Sequence, residues 1–189
     1  FPYRKREVRT SRLGEERRVG ARQFLKPADD KAFAARVYEI GEHLDPERAI
    51  DDALPVLVAE PVRFTREVRA FVIDRAIATL SSYVREGVLA RTADDTWPLY
   101  DDDRRAATTL LETLLGDAEV ALPPALVIDV GHIEDRGFAV VEANAAWASG
   151  ICGCDPAQVL ATGARTCMRR SSLDPALRRW ARAPSLAIE

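Results

Sequence analysis

The chain has 189 residues, 47% of them apolar and 30% charged, which allows one sizeable core or two small lobes. A net charge of −3 argues against a general nucleic-acid binder, and no apolar run approaches the roughly 18 residues that span a bilayer. Residues 1–22 come first, with eight Arg or Lys against three Glu. This basic end reads as an anion-steering segment, a solvated tail or a lobe surface. Residues 23–26 predict a short strand ended by Pro27. Residues 28–30 then predict a helix cap, because Phe33, Val37, Ile40 and Leu44 recur at one helical face until Asp45-Pro46 stops them. Pro55–Ala59 is a short apolar strand closed by Glu60-Pro61. Residues 67–74 alternate as a strand, and Asp74-Arg75 reads as a two-residue hairpin turn into a second strand over 76–83. Residues 101–115 fit a helix with Ala107, Leu110, Leu111, Leu114 and Leu115 inward, and Pro123-Pro124 forces a break. Residues 125–130 and 138–142 are two further strands, 156–170 a helix, and 175–182 a short amphipathic helix. Helices mixed with antiparallel hairpins give an α+β class.

The stretch GFAVVEANAAWASG, residues 137–150, interrupts an apolar strand with Glu142 and Asn144. If Asp135-Arg136 is the preceding hairpin loop and Glu134 pairs Gly137, Asp129 falls directly opposite Glu142. Facing side chains in such a pair have Cβ atoms about 4.5–5.5 Å apart. Asn144 shares that face if the strand continues. Two carboxylates so close either take up a proton or hold a cation between them. Two carboxylates and an amide oxygen are hard ligands that suit Mg²⁺ or Mn²⁺ rather than zinc, with other positions left to water and phosphate oxygens. The other reading is a polar strand end with unrelated acids, since a one-residue slip would flip the faces. Cys152, Cys154 and Cys167 are odd in number and lack paired metal spacing, so they read as small, partly buried thiols in a reducing cytoplasm.

The segments FLKPADDKAF (24–33), VLVAEPV (56–62), EVRAFVID (67–74), LVIDVG (126–131) and VVEANAAWASG (140–150) come in the order found in ATP-grasp enzymes. Over about residues 10–160 the chain resembles a RimK-related branch of that superfamily found in bacteria and their phages. The resemblance implies an α+β ATP-grasp fold, two lobes with antiparallel sheets holding ATP between them. Residues 21–62 would be the small lobe ending in a hinge and 63–170 the large lobe with the metal site. Residues 1–20 would be a remnant of a preceding domain or a basic tail, and 171–189 a C-terminal helix and tail. Lys26 matches the lysine on the α/β phosphates, and Lys31 is a second phosphate contact or a solvated residue. At the hinge, the backbone around Pro61 and Val62 reads the adenine edge while Glu60 accepts from its amino group. Pro61 lacks an N–H, so the donor falls to Val62. Glu67 matches an acid on the ribose hydroxyls and Arg69 a clamp on a phosphoryl group, although both also fit a cross-strand ion-pair pattern on an exposed face. Asp129, Glu142 and Asn144 match the metal ligands, with Glu142 bridging two Mg²⁺.

Ser81, Ser82 and Tyr83 lie where the next strand reaches substrate. Trp147, Ser149 and Gly150 shape the acceptor pocket, or Trp147 belongs to the core; His43 and His132 read as structural or surface residues. The sequence departs from the family's pattern in three places. No Gly-rich phosphate-covering loop is evident, Arg75 stands where the turn favours Gly, and only residues 1–20 precede the small lobe. The N-terminal α/β domain implied by the resemblance is missing, lies outside these residues or is supplied by another chain. The implied function is a Mg·ATP-dependent carboxylate–amine ligase, forming peptide bonds through an acylphosphate on an amino acid or peptide. Its partners would be ATP, a small-molecule or peptide carboxylate and an amine, with no nucleic acid or membrane and an oligomer left open. The alternatives are a nucleotide-binding module without ligase activity of its own and a structural domain without ligand.

Overall fold

Short runs of β-branched and apolar residues, each ended by Gly, Pro or Asp turns, give a largely antiparallel β architecture. The computed structural model describes residues 1–28, 31–47 and 49–181, and the chain divides into two compact units, Phe1–Arg63 and Phe64–Glu189.

The first unit is a four-stranded antiparallel sheet in the order β1-β4-β2-β3, with β1 at Val8–Arg12, β2 at Gln23–Pro27, β3 at Arg36–Tyr38 and β4 at Pro55–Ala59. Leu25, Val56 and Val58 bury one face against Leu13, Val19, Tyr38 and Leu44. Leu13 sits in a single helical turn, α1 (Leu13–Glu16). Two sequence expectations change here. Residues 1–20, read as a remnant or basic tail, supply an edge strand, because β1 pairs with β4 from Val8↔Ala59 to Arg12↔Pro55. The helix expected from Phe33 to Leu44 is instead β3 and turns, with Phe24↔Val37 as a strand pair and Ile40 72% exposed. Four residues at helical spacing cannot outweigh a β-favouring Val37-Tyr38 that finds an open partner edge on β2. The expected capping residues Asp29 and Asp30 lie outside the described residues. Asp45 does mark a turn: its carboxylate accepts from the backbone N–H groups of Ala49 and Ile50, 3.2 and 2.7 Å away.

The second unit is a five-stranded antiparallel sheet in the order β7-β6-β5-β8-β9. Its strands are β5 (Phe64–Ile73), β6 (Ala76–Arg85), β7 (Val88–Leu89), β8 (Ala125–Ile133) and β9 (Gly137–Asn144). The helices α2 (Asp101–Gly116) and α3 (Pro156–Thr166) both pack on β5, β6 and β8. Phe71 and Val127 face Ala146, Cys154 and Val159 on the α3 side. Val68, Ala70, Val72, Ile128 and Val130 alternate to the other side, where α2 supplies buried Ala107, Leu111, Leu114 and Leu115. Leu110, expected inward, is only half-buried. Three acids open α2, and buried Asp103 among them ties it to the sheet through Arg66 at 2.9 Å and Arg85 at 3.0 Å. The helix expected over 156–170 stops at Thr166, and the one expected over 175–182 is a 3₁₀ segment, Pro175–Trp180, with Arg182 outside the described residues.

The Asp74-Arg75 turn has positive φ at both positions, 44° and 64°, as a two-residue hairpin of right-handed twist demands. Left-handed backbone at a non-Gly residue costs roughly 1–2 kcal/mol. Arg75 offsets it by donating to the carbonyls of Leu115 at 2.8 Å and Asp117 at 3.0 Å, capping the C-terminal end of α2. This is why an arginine stands in a glycine's place.

In the first unit, burial favours the neutral form of Glu16, but Arg9 at 2.7 Å and Gln23 at 3.0 Å hold its carboxyl below the usual range. A depressed carboxylate stabilises the fold above its unfolded pKa of about 4.3, and that contribution fades as pH falls through the folded value. In urea titrations, the stability gap between wild type and Glu16→Gln should therefore be present at pH 7 and vanish under acid conditions.

Candidate functional site

The site in the second unit is a row of side chains across the sheet. Successive backbone pairs Ser81↔Arg69, Arg69↔Asp129 and Asp129↔Glu142 align four strands, β6, β5, β8 and β9. The last pair arises in an unexpected way. The β8–β9 loop has three residues rather than two, because Ile133 pairs Gly137, and Asp135 and Gly137 take φ of 62° and 72°. That alone would set Asp129 one residue out of step. A β-bulge between Val130↔Val140 and Asp129↔Glu142 absorbs Val141 and restores the pairing. The expected opposition of the two carboxyl residues is thus present, by a different register.

Arg69 is the centre of the row and is 6% exposed. Its Nε donates to Asp129 Oδ1 at 2.9 Å and its Nη2 to Oδ2 at 2.8 Å, a two-pronged pair, while Nη1 donates to the Gly150 carbonyl at 3.2 Å. Its guanidinium carbon lies 3.9 Å from the centre of the Tyr83 ring. Burial opposes the charge of Arg69, but the bonds and charge of Asp129 outweigh it and raise the pKa. Asp129 is fully buried. The cation the sequence called for beside Asp129 is, in this structure, a guanidinium. Arg69 and Glu67 are therefore not an exposed ion-pair pattern: Arg69 is buried, and Glu67, half-buried, pairs with Gly131 and Val84 through the backbone.

On β9, Asn144 Nδ2 donates to Glu142 Oε1 at 2.9 Å, so the amide and the carboxylate share one face. With its nitrogen turned to Glu142, Asn144 has its oxygen as the remaining polar atom. Among the described residues no three His, Cys, Asp or Glu side chains form a metal cage. The row offers two carboxylates and an amide, oxygen donors that fit a hard divalent ion bound by few protein ligands. Arg69 lowers the net charge of Asp129 and Glu142 from −2 to −1, which leaves the set anionic.

The segment after β9 covers the row. Gly150 Cα, with its missing side chain, would place a Cβ 3.7 Å from Arg69 Nη1, and a Cβ on Gly153 would meet Trp97 at 2.4 Å and Ser81 Oγ at 2.6 Å. Only glycine lets this loop lie so near the sheet. Cys154 Sγ points at the Arg69 carbonyl, 3.8 Å away, and burial pushes its thiol up to about 12. Burial likewise raises Cys152, so both stay protonated at neutral pH. Trp147 is 56% exposed, which overturns its reading as a core residue. His132 touches Thr65 at 3.2 Å and meets Phe138 edge-on, and His43 pairs with Arg18 through an isolated bridge.

The remaining candidates belong to the first unit. Lys26 sits on β2 opposite Leu57 and is half-buried; Lys31 is exposed. Glu60 is tied to Glu7, donating its N–H to the Glu7 carbonyl at 3.0 Å and accepting from the Glu7 N–H at 3.3 Å. Glu60 and Pro61 line a cleft of about 640 Å³ together with Gln23, Arg9 and Arg22, and Val62 follows half-buried. Sequence reasoning missed the stacking role of Tyr83 and the Gly150 carbonyl. The only signal for Tyr83 was its place two residues beyond Ser81 on an alternating strand.

Residues 3–162 match the model of an ATP-grasp domain family, the second family of one ATP-grasp clade. The chain belongs to that ATP-grasp family. A D-alanine–D-alanine ligase from Bacillus anthracis complexed with ATP shares the fold at a TM-score of 0.52 and 12% identity, over 87% of this chain and 60% of that one. A RimK-domain ATP-grasp protein from Sphaerobacter thermophilus is similar at 0.47 and 22% identity, over 85% and 58%. The ATP-grasp ligase PsnB, complexed with precursor peptide PsnA2 and AMPPNP, is similar at 0.41 and 18%, over 86% and 52%. The chain thus spans 52–60% of the length of these solved ATP-grasp proteins. No curated protein matches it in sequence.

Removing one member of a buried ion pair strands the other, at a cost of about 3–5 kcal/mol. Asp129→Ala should lose about that much in urea unfolding, whereas the double change Arg69→Met/Asp129→Ala should lose much less than the sum of the two single changes. Additive losses would show that the pair is not coupled.

Proposed function

We propose that this ATP-grasp domain is a Mg·ATP-dependent carboxylate–amine ligase acting on an amino acid or peptide. The observation that carries the reading is the row of Arg69, Asp129 and Glu142, continued by Asn144, in a chain of this family. In the proposed reaction a substrate carboxylate oxygen attacks the γ-phosphorus of ATP and ADP leaves. The amine nitrogen then attacks the acyl carbon of the resulting acylphosphate. Phosphate departs and the nitrogen loses a proton, leaving an amide.

This chain's residues supply position and charge rather than a covalent partner. Lys26, with Lys31 as a second contact, would bind phosphate oxygens; Glu60 would accept from the adenine amino group and the Val62 N–H would donate to the ring. Glu67 would take the ribose hydroxyls. Mg²⁺, or Mn²⁺ in its place, held by Asp129, Glu142 and Asn144, would offset charge on the transferring phosphoryl group. Arg69 adds a fixed positive charge in the same row and keeps the Asp129 carboxylate ionised and oriented. Free Cys152, Cys154 and Cys167 suit work in a reducing cytoplasm.

The test is ADP release from ATP and Mg²⁺ with pools of amino-acid and peptide carboxylates, with and without amines. Glu142→Gln should lower that release about 100-fold while the protein stays folded, and Lys26→Ala should chiefly raise the KM for ATP. Unchanged turnover in Glu142→Gln would sink the proposal. Binding of ATP and Mg²⁺ without any amide product would instead mark a nucleotide-binding module.

A further inference from the structure

A guanidinium is a flat plate, and two sets of contacts are needed to hold it. Hydrogen bonds at its edges fix its place within its plane; contacts on its faces fix the tilt of that plane. The edges of Arg69 meet Asp129 twice and the Gly150 carbonyl once. One face lies on the Tyr83 ring, with the guanidinium carbon 3.9 Å from the ring centre. Tilt matters because a two-pronged pair needs both N–H groups in the plane of the carboxylate.

The position of Tyr83 on β6 is an unusual one. Backbone pairing runs Val68↔Ser82 and then Glu67↔Val84, so Tyr83 is the extra residue of a β-bulge. Bulges twist a strand locally and re-aim a side chain. This one lies beside Ser81, the residue paired with Arg69, and delivers the ring onto the guanidinium face. The Val141 bulge on β9 brings Glu142 opposite Asp129 in the same way. Two strand irregularities on opposite sides of the sheet thus converge on one row.

We infer that Tyr83 is a positioning residue for the proposed metal site, holding Arg69 flat so that Asp129 keeps the orientation in which it serves as a ligand. The inference rests on the reading of Asp129, Glu142 and Asn144 as metal ligands. Tyr83 touches neither metal nor nucleotide in this scheme. Its ring face does the work and its hydroxyl does not, which makes phenylalanine an adequate substitute and an aliphatic residue an inadequate one.

Two measurements test it, neither needing the substrate. In the unliganded protein, the Nε–H resonance of Arg69, assigned by its loss in Arg69→Lys, should be displaced upfield by the ring current of Tyr83. Tyr83→Phe should keep that displacement and Tyr83→Leu should abolish it. In calorimetry with ATP, using Mn²⁺ as the probe metal, Tyr83→Leu should reduce the metal's enhancement of ATP affinity about tenfold. ATP affinity without metal should stay at the wild-type value, and Tyr83→Phe should match wild type in both. A merely structural role would shift the two affinities together. A folded Tyr83→Leu with the full Mn²⁺ enhancement overturns the inference alone. A wild-type protein whose ATP affinity ignores Mn²⁺ overturns the metal-site reading and the inference with it. If Tyr83→Leu does not fold, the wild-type spectrum and Tyr83→Phe decide: an undisplaced Arg69 resonance, or loss of Mn²⁺ enhancement in Tyr83→Phe, overturns it.

Discussion

A charged guanidinium buried in the middle of a five-stranded sheet has to be matched, and the pair of Arg69 with Asp129 does the matching. Each residue is nearly inaccessible to water, and each would be intolerable there without the other. Such a pair is no efficient way to stabilise a fold, because desolvating both charges consumes most of what their attraction returns. Its value is orientation. The two parallel hydrogen bonds leave Asp129 one geometry, and the neighbouring strands β6 and β9 are bent to fit it.

The sheet around that pair is regular where it only packs and irregular where it meets the row. Along β5 and β8, Ala70↔Ile128 and Val72↔Leu126 keep plain register between two helices. Interruptions fall at Tyr83 and Val141, the residues next to the polar row on either side. The loop from Gly150 to Asp155 is anchored there too, by the Arg69–Gly150 bond, by Cys154 on the Arg69 carbonyl and by Asp155 N–H on Thr79 at 3.0 Å. One side chain therefore links the acidic row to the segment that covers it. A ligand that redrew the partners of Arg69 would be felt at both.

Much of this was legible in the sequence where local chemistry decides the outcome. The alternation of 67–74, the Asp74-Arg75 turn and the apolar face of 101–115 all became the elements their patterns describe, because each rests on side-chain periodicity and turn geometry. The segment 33–44 misled, since four apolar residues fit a helix or a strand with turns, and only the open edge of β2 selected the strand. The hairpin at 134–136 is a subtler case. Its loop is one residue longer than expected, and the bulge at Val141 compensates, so Asp129 and Glu142 face each other for a reason that spacing does not contain.

The sequence by itself determined the α+β class, the order of motifs that marks an ATP-grasp chain and the identities of the residues on the candidate site, because composition, periodicity and motif order are properties of a linear chain. Only the tertiary structure decided what stands beside Asp129. Arg69 and Asp129 are sixty residues apart, and their pairing follows from the register of β5 against β8. Register depends on cross-strand packing and on bulges, and a single-residue shift exchanges the two faces of a strand. Buried Arg69, stacked Tyr83 and exposed Trp147 therefore acquire their surroundings from partners that the sequence places far away.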